Sequence, residues 1–313
     1  QAYIARRLLQ TLYVVVVLSF IIFAAVRFAP GDPAVTRLGM EATREALEQE
    51  RSELGLDKPI YEQYAIWLGK VVRGDMGVSL AYASDHPVAP LVWEKFKRTI
   101  PLTLAAMAIG LGVSIPLGII AGLRPYSLLD NIISASSLFG VAAPSFWVGL
   151  MLILLFAVRL DWLPSFGYGP IGQGFHWKYF ILPSVALGFQ LMGALTRYMR
   201  SGMLDVMSSD YVRTAQAKGL PYRTVVARHA VKNAMLSVVT VIALDLGALL
   251  AGALVTETVF QWPGVGLLLV NAIQARDYAI VQMIVLVTSV WYISVNLLAD
   301  ILYGYLDPRI RYE

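Results

Sequence analysis

Ser208-Ser209-Asp210-Tyr211-Val212-Arg213-Thr214-Ala215-Gln216-Ala217-Lys218-Gly219-Leu220-Pro221 separates two apolar stretches of a 313-residue chain. Ser209 can cap a helix whose first turn carries Asp210, Gly219 suits the left-handed position just past the end of that helix, and Pro221 can start the next one. The pattern predicts helix, glycine stop, helix. Its middle is small: Thr214, Ala215 and Ala217 let another surface approach the backbone closely, while Arg213, Lys218, Arg223 and Arg228 offer a cationic rim. That is the shape of a peg for a socket.

Outside this stretch the chain is mostly apolar. It is 58% hydrophobic and only 15% charged, with a mean hydropathy of +0.64, whereas soluble domains carry about a quarter charged residues. A water-soluble fold could not cover so much apolar surface. A helix needs about 20 apolar residues to cross a hydrocarbon layer roughly 30 Å thick. Six runs of that kind are expected to span: Leu8 to Val26, Ile100 to Leu123, Asn131 to Val158, Phe180 to Thr196, Met235 to Thr256, and Tyr278 to Ala299. The fourth is short but continues through Tyr198 to Met207, past the bilayer, and the fifth contains Asp245. The first is longer than the core of a secretory signal and is followed by a poor cleavage context, so it reads as an uncleaved helix. The expectation is a single all-α membrane domain over residues 1–313.

Orientation follows from Lys and Arg in the short segments. Arg6, Arg7, Arg124, the group Arg197 to Lys232, Arg309 and Arg311 fall on one side, and only Arg159, Lys178 and Arg276 on the other. Both termini and the 208–233 loop are therefore expected in the cytoplasm. Residues 27–99, whose ten basic residues are offset by eleven acidic ones, are expected to form an external folded insertion. Within it, Glu41 to Leu54 reads as a short polar helix. Ile60 to Val72, with Tyr61, Tyr64, Ile66, Trp67, Leu68 and Val71 at helical spacings, reads as an amphipathic one. Its aromatic face either packs on the membrane domain or helps dock an external partner.

The chain contains no cysteine, which excludes disulfides, thiolate metal sites and cysteine nucleophiles. His86, His176 and His229 are too scattered for a metal site, and no metal is expected. No phosphate-binding Gly-x-x-x-x-Gly-Lys-Ser/Thr loop, Gly-x-Ser-x-Gly elbow or His-Glu-x-x-His motif occurs, so the chain is not expected to be an enzyme or to hydrolyse ATP.

Arg213-Thr214-Ala215, followed three residues later by Gly219, resembles the Glu-Ala-Ala signature loop of binding-protein-dependent ABC importer permeases. Arg in place of Glu resembles the dipeptide, oligopeptide and nickel branch of that family. Further stretches point to the same branch, among them Pro30-Gly31-Asp32-Pro33, Arg73-Gly74-Asp75-Met76-Gly77-Val78-Ser79, Pro144-Ser145-Phe146-Trp147, Glu257 to Gly264, Ala275-Arg276-Asp277-Tyr278 and Leu306 to Arg311. Ser237 departs from the pattern, where the branch would have Pro, which predicts a straighter start to span five.

The resemblance implies a type I ABC importer (MetI-like) permease fold of six transmembrane helices in a bacterial cytoplasmic membrane. It implies as partners a second, similar permease, two cytoplasmic ATPase subunits or domains that bind ATP and Mg, and an external solute-binding protein, with no cofactor on this chain and no nucleic acid. It assigns Asp210, Arg213, Thr214, Ala215, Ala217, Lys218, Gly219, Leu220 and Arg228 to ATPase coupling, and short peptides to the cargo, with nickel or another small solute as the alternative. A self-sufficient channel or secondary transporter is the rival class; such proteins often carry charged relays in several spans, and here only Asp245 stands in one.

Pathway candidates are weighed residue by residue. Asp245, an ionisable group at mid-span depth, either lines the pathway or pairs with a polar group of a neighbouring helix. Glu257 and Gln261, at i and i+4, form a gate, a partner contact or a solvated helix end. Pro144 can kink span three and shape a path, while Phe146 and Trp147 beside it lie on a path or pack. Gln190 and Met192 in span four stand in the same position. Trp162, Trp177, Tyr179, Trp262 and Tyr278 near span ends fit the interfacial aromatic belt.

Overall fold

The computed structural model describes residues 2–28, 32–39, 41–83, 85–170, 172 and 174–306. Pro30 and Gly31 of the first family-like stretch, and Asp307 to Arg311 of the last, lie outside them. The chain divides into two compact units, Gln1–Thr99 with Pro263–Leu297, and Ile100–Trp262 with Leu298–Glu313.

The first unit starts with α1 (Ala2–Phe28), a mostly apolar helix that carries charge only near its ends, at Arg6, Arg7 and Arg27. Asp32 caps α2 (Pro33–Leu38), with Pro at N1, and Thr43 caps α3 (Arg44–Glu53). Two ion pairs tie these short helices together: Arg37 to Glu50 at 2.8 Å, and Arg51 to Asp32. Burial pushes the Asp32 carboxyl up, but the Arg51 guanidinium and the Ala34 N–H outweigh it and hold the group below the usual carboxylate range.

The amphipathic run forms α4 (Ile60–Val72), over the residues expected. Its aromatic face packs on α1: Tyr64 shares a 2.8 Å hydrogen bond with Ser19, Phe20 meets Tyr64 edge-on at 5.2 Å, and Phe23 lies 5.4 Å from Trp67. Packing therefore accounts for Tyr64 and Trp67, while Tyr61 and Ile66 of the same helix stay exposed. Residues 74–83 and 85–87 fold into a tight loop, and α5 (Val88–Leu123) begins inside the segment read as insertion and runs on for 36 residues. The unit is completed by α12 (Val265–Gln274) and by α13 (Tyr278–Leu306) as far as Leu297.

The second unit is organised on α8 (Trp177–Met207), which packs against α6 (Leu128–Ala142), α7 (Ser145–Leu152) and α11 (Lys232–Val259). Leu187, Leu191, Leu195, Met199 and Met203 recur at helical spacing on α8 and are buried with Leu102 and Ala106 of α5 and Ala234 and Val238 of α11. Small residues set the spacing. A Cβ on Gly193 would lie 2.6 Å from the Ser137 carbonyl oxygen of α6, and one on Gly188 2.6 Å from that of Ala106. Only glycine allows backbones this close in an apolar medium.

Among the described residues four helices are long and apolar enough to cross a membrane: Leu9–Phe28, Val88–Leu123, Trp177–Met207 and Tyr278–Leu298. The third expected span is not one kinked helix. α6 stops at Ala142 and α7, continued by a π-helical stretch Ile153–Arg159, leaves at 108°; counting this pair as one crossing makes five. The cause is Pro144, which forces the preceding Ala143 into an extended conformation (φ −71°, ψ 127°) and caps α7 from outside rather than bending a helix from within. The remaining expected span, Met235 to Thr256, lies in α11, whose side chains are described only in part; the apolar stretch counted there is Leu249–Val259, shorter than a crossing. α11 passes Ser237 without a break, as the missing proline allows.

Trp262 is not in an interfacial belt. It is 1% exposed and sits among Tyr168, Phe175 and Phe180, with ring centroids 4.8, 6.4 and 5.5 Å away. Trp162 and Trp177 are exposed, as a belt requires.

Candidate functional site

The segment that opened the sequence folds as its punctuation predicts. α9 (Asp210–Ala217) ends at Lys218, Gly219 follows at φ +78°, and Pro221 (φ −57°, ψ 138°) precedes α10 (Tyr222–Thr224). The Gly219 N–H closes the turn on the Gln216 carbonyl at 2.9 Å. One detail differs. Ser209 takes the extended conformation of a cap, but its hydroxyl donates backwards to the Val206 carbonyl at 2.5 Å instead of accepting from the new helix. From Tyr222 the chain stays helical to Val259, through a π-helical stretch Val225–Val231 that no local residue pattern announced.

Which residues face outward decides what the loop can touch. Val212, Ala215 and Val225 are buried together, with Val206 and Met207 packed on them. Ala215 therefore holds α9 against its own unit and is not part of a surface offered to another molecule. Asp210, Arg213, Thr214, Ala217, Lys218, Gly219, Leu220 and Arg228 are exposed. The rim is cationic as read, the Arg213–Asp210 approach being 3.9 Å between two exposed groups and worth little. Tyr211 and Tyr222, 44% and 55% exposed, add two aromatic side chains to the outward face of the loop. Tyr211 accepts from the Asn233 amide at 3.0 Å, and the same amide donates to the His229 carbonyl, so α9 is fastened to the start of α11.

The pathway candidates separate into two groups. At the break, Pro144 and Phe146 are exposed, and the Gln190 amide of α8 reaches the Ala143 carbonyl at 3.5 Å. Phe139 stacks edge-on with both Trp147 and Phe189, so the aromatics line the turn on one side. Met192 is half-buried on α8. The other group lies on α11 and just beyond it. Asp245 is half-buried, and no hydrogen bond or ion pair to it occurs among the described residues. Glu257 is completely buried, which rules out a solvated helix end for it. Gln261 does not continue its helical face: α11 has ended at Val259, and Gln261 is exposed at φ +49° with its amide on the Thr258 carbonyl.

Two polar clusters were not legible beforehand. Asp130, 1% exposed at the start of α6, receives Arg200 of α8 through Nε at 2.5 Å and a second nitrogen at 2.8 Å, along with the Tyr126 N–H and the Ser134 hydroxyl. In the sequence Arg200 is one basic residue of the group Arg197 to Lys232. In the other unit, the buried Asp277 accepts from the Ser79 hydroxyl at 2.5 Å and from the Ala81 and Tyr82 N–H groups. Two family-like stretches 198 positions apart thus meet at one carboxylate. No group of three or more His, Asp or Glu is placed to hold a metal among the described residues.

An exposed, cationic helix–glycine–helix turn thus leads into a long helix of a largely apolar, helical chain. Residues 114–312 match the family of binding-protein-dependent transport system inner membrane components, and residues 1–105 match the N-terminal part described for such membrane components. The chain belongs to that family. It is a multi-pass inner membrane permease subunit of an ABC importer, not itself an enzyme, and works in a complex with ATPase and binding-protein partners. It is 38% identical to the oligopeptide transport system permease protein AppB of Bacillus subtilis (strain 168) and 38% identical to the glutathione transport system permease protein GsiC of Escherichia coli (strain K12), over 99% of each chain in both comparisons. The fold is similar to that in a crystal structure of an amino acid ABC transporter with histidines, at a TM-score of 0.54 and 13% identity, covering 69% of this chain and 94% of that one.

Proposed function

We propose that this chain forms half of the translocation pathway of a type I importer for short peptides, its six helices paired with those of a second, similar permease. Each permease receives one of two ATPase subunits or domains on the 208–233 loop. Both termini and that loop face the cytoplasm, residues 27–99 face the external solute-binding protein, and the surrounding lipid covers the rest. Short peptides are the cargo class because both relatives named above carry peptides by name and are alike over the full chain.

The observation that carries the mechanism is the fastening of the loop. α9 is clamped by Val212 and Ala215 to its own unit and by Tyr211–Asn233 to the start of α11, so a push on the exposed rim passes into a run that is helical from Tyr222 to Val259. Asp245, Glu257 and Gln261 lie on or just past that run, and Pro144, Phe146, Gln190 and Met192 mark the break it packs beside. ATP binding at the partner would then reach the pathway as a shift of α11.

Ala217→Arg tests this. The site is exposed and helical, so the variant should insert and fold normally, yet a bulky cation on the peg should lower ATPase co-purification at least about tenfold. Unchanged co-purification would remove the loop from the docking surface. Peptide uptake by this chain alone, driven by an ion gradient, would overturn the class of mechanism.

A further inference from the structure

The unit formed by residues 1–99 and 263–297 carries a half-open cavity of about 700 Å³, between the end of α1, one face of α4, the turns at 54–58 and 75–80, and the start of α13. Its walls are largely apolar, with Val26, Ile66, Trp67 and Met76 among them, and yet three cations open onto it: Arg27, Lys58 and Lys70. None of the three forms an ion pair among the described residues. Glu53 and Asp75 also border the space but are engaged locally, Glu53 accepting from Gln49 and Asp75 from the Gly77 N–H.

Two atoms of this wall are shielded from solvent and left without partners: Arg27 Nε, a donor, and Gln63 Oε1, an acceptor. The Gln63 amide cannot correct this by flipping, because its nitrogen already donates to the Lys58 carbonyl at 2.8 Å and the Leu56 carbonyl at 3.3 Å. The Arg27 guanidinium carbon lies over the Phe23 ring, 5.2 Å from its centre. A guanidinium nitrogen and an amide oxygen in the wall of one cavity, both shielded from solvent and both without partners, are costly as they stand. One ligand carrying both an anion and a neighbouring N–H or O–H removes both costs.

The position selects the ligand. α1 is one of the helices long and apolar enough to span, and Arg27 stands in its last turn, the level at which lipid phosphates lie. Trp67 and Tyr278 border the same space, as aromatics do at that depth. We infer that this cavity binds the headgroup of a glycerophospholipid, the phosphodiester on Arg27 with Lys58 and Lys70 adding charge, and the ethanolamine ammonium or glycerol hydroxyl donating to Gln63 Oε1. Phosphocholine has the phosphate but no such donor, and so binds less well.

Native mass spectrometry of the full chain, released from nanodiscs of equal dioleoyl phosphatidylethanolamine, phosphatidylglycerol and phosphatidylcholine, tests the assignment. One retained lipid is expected, with ethanolamine or glycerol headgroups favoured over choline by about tenfold, the discrimination of one hydrogen bond to an otherwise unsatisfied buried acceptor. Arg27→Gln should lower retention of all three, with circular dichroism confirming that the helices persist. Gln63→Leu, which leaves the phosphate contact intact, should keep a lipid but erase the preference over choline. Equal retention of the three lipids by the native chain, or retention indifferent to both substitutions, overturns the proposal. So does loss of the adduct to excess inorganic phosphate, which assigns the cavity to a free anion, or to excess dialanine, which assigns it to a peptide carboxylate.

Discussion

Arg200 and Asp130 show what one residue pair can settle in an apolar fold. The carboxylate is 1% exposed and the guanidinium side chain 27%, so the acid depends on the base far more than the reverse. Removing the base alone, as in Arg200→Met, leaves a buried charge with only the Tyr126 N–H and Ser134 to satisfy it, at a cost of about 3–5 kcal/mol. Removing both, as in Asp130→Leu with Arg200→Met, costs less than the single change. Thermal unfolding of the purified chain in detergent should rank the variants in that order, and a single variant as stable as the native chain would show that the pair holds nothing. The pair was invisible beforehand because its members lie 70 positions apart and a basic residue near a span end is usually solvated. Ala215 is ambiguous in sequence for a related reason: a small side chain beside a charged rim looks the same whether it admits a partner or its own neighbours, and in the structure it is buried with Val212 and Val225.

Elements whose pattern is local were legible, and those that depend on contact were not. α4 could be read from the spacing of its apolar residues and α9 from its glycine stop, because periodicity and a positive φ leave marks in a short stretch. Pro144 signalled an interruption, but its 108° consequence depends on how α7 then packs on α8 and α11. The π-helical stretches Ile153–Arg159 and Val225–Val231 have no residue signature at all. The close approach of α6 to α8 yields a direct prediction. Gly193→Ala places a Cβ 2.6 Å from the Ser137 carbonyl oxygen, which is backbone and cannot swing aside, so the helices must part at a cost of about 1–3 kcal/mol. Gly112→Ala on α5 meets nothing within 4 Å and should be neutral or mildly stabilising. Melting temperatures in one detergent suffice; equal losses from the two substitutions would mean that backbone contact at Gly193 does not set the spacing.

At the scale of the whole molecule, hydropathy and loop charge together propose a direction through the membrane, and the absence of cysteine makes that direction unusually simple to measure. Any introduced thiol is the only one in the chain, so labelling by a membrane-impermeant maleimide has no background from it. Glu45, exposed on α3, and Lys218, exposed at the end of α9, carry the two opposite expectations. Both are surface positions free of buried contacts, so Glu45→Cys and Lys218→Cys should leave folding within about 0.5 kcal/mol. In intact cells with the outer barrier opened, Glu45→Cys should label at once and Lys218→Cys only after the inner membrane is permeabilised. The converse result would invert the orientation and place the cationic peg outside, where no ATP-binding partner could meet it. Labelling of both without permeabilisation would be as damaging, since it would mean that the segments 27–99 and 208–233 share one side and that an odd number of crossings does not lie between them. If Lys218→Cys is shielded after permeabilisation only when the ATPase is co-expressed, orientation and docking are read from the same thiol, and the peg is tied to the partner that moves it.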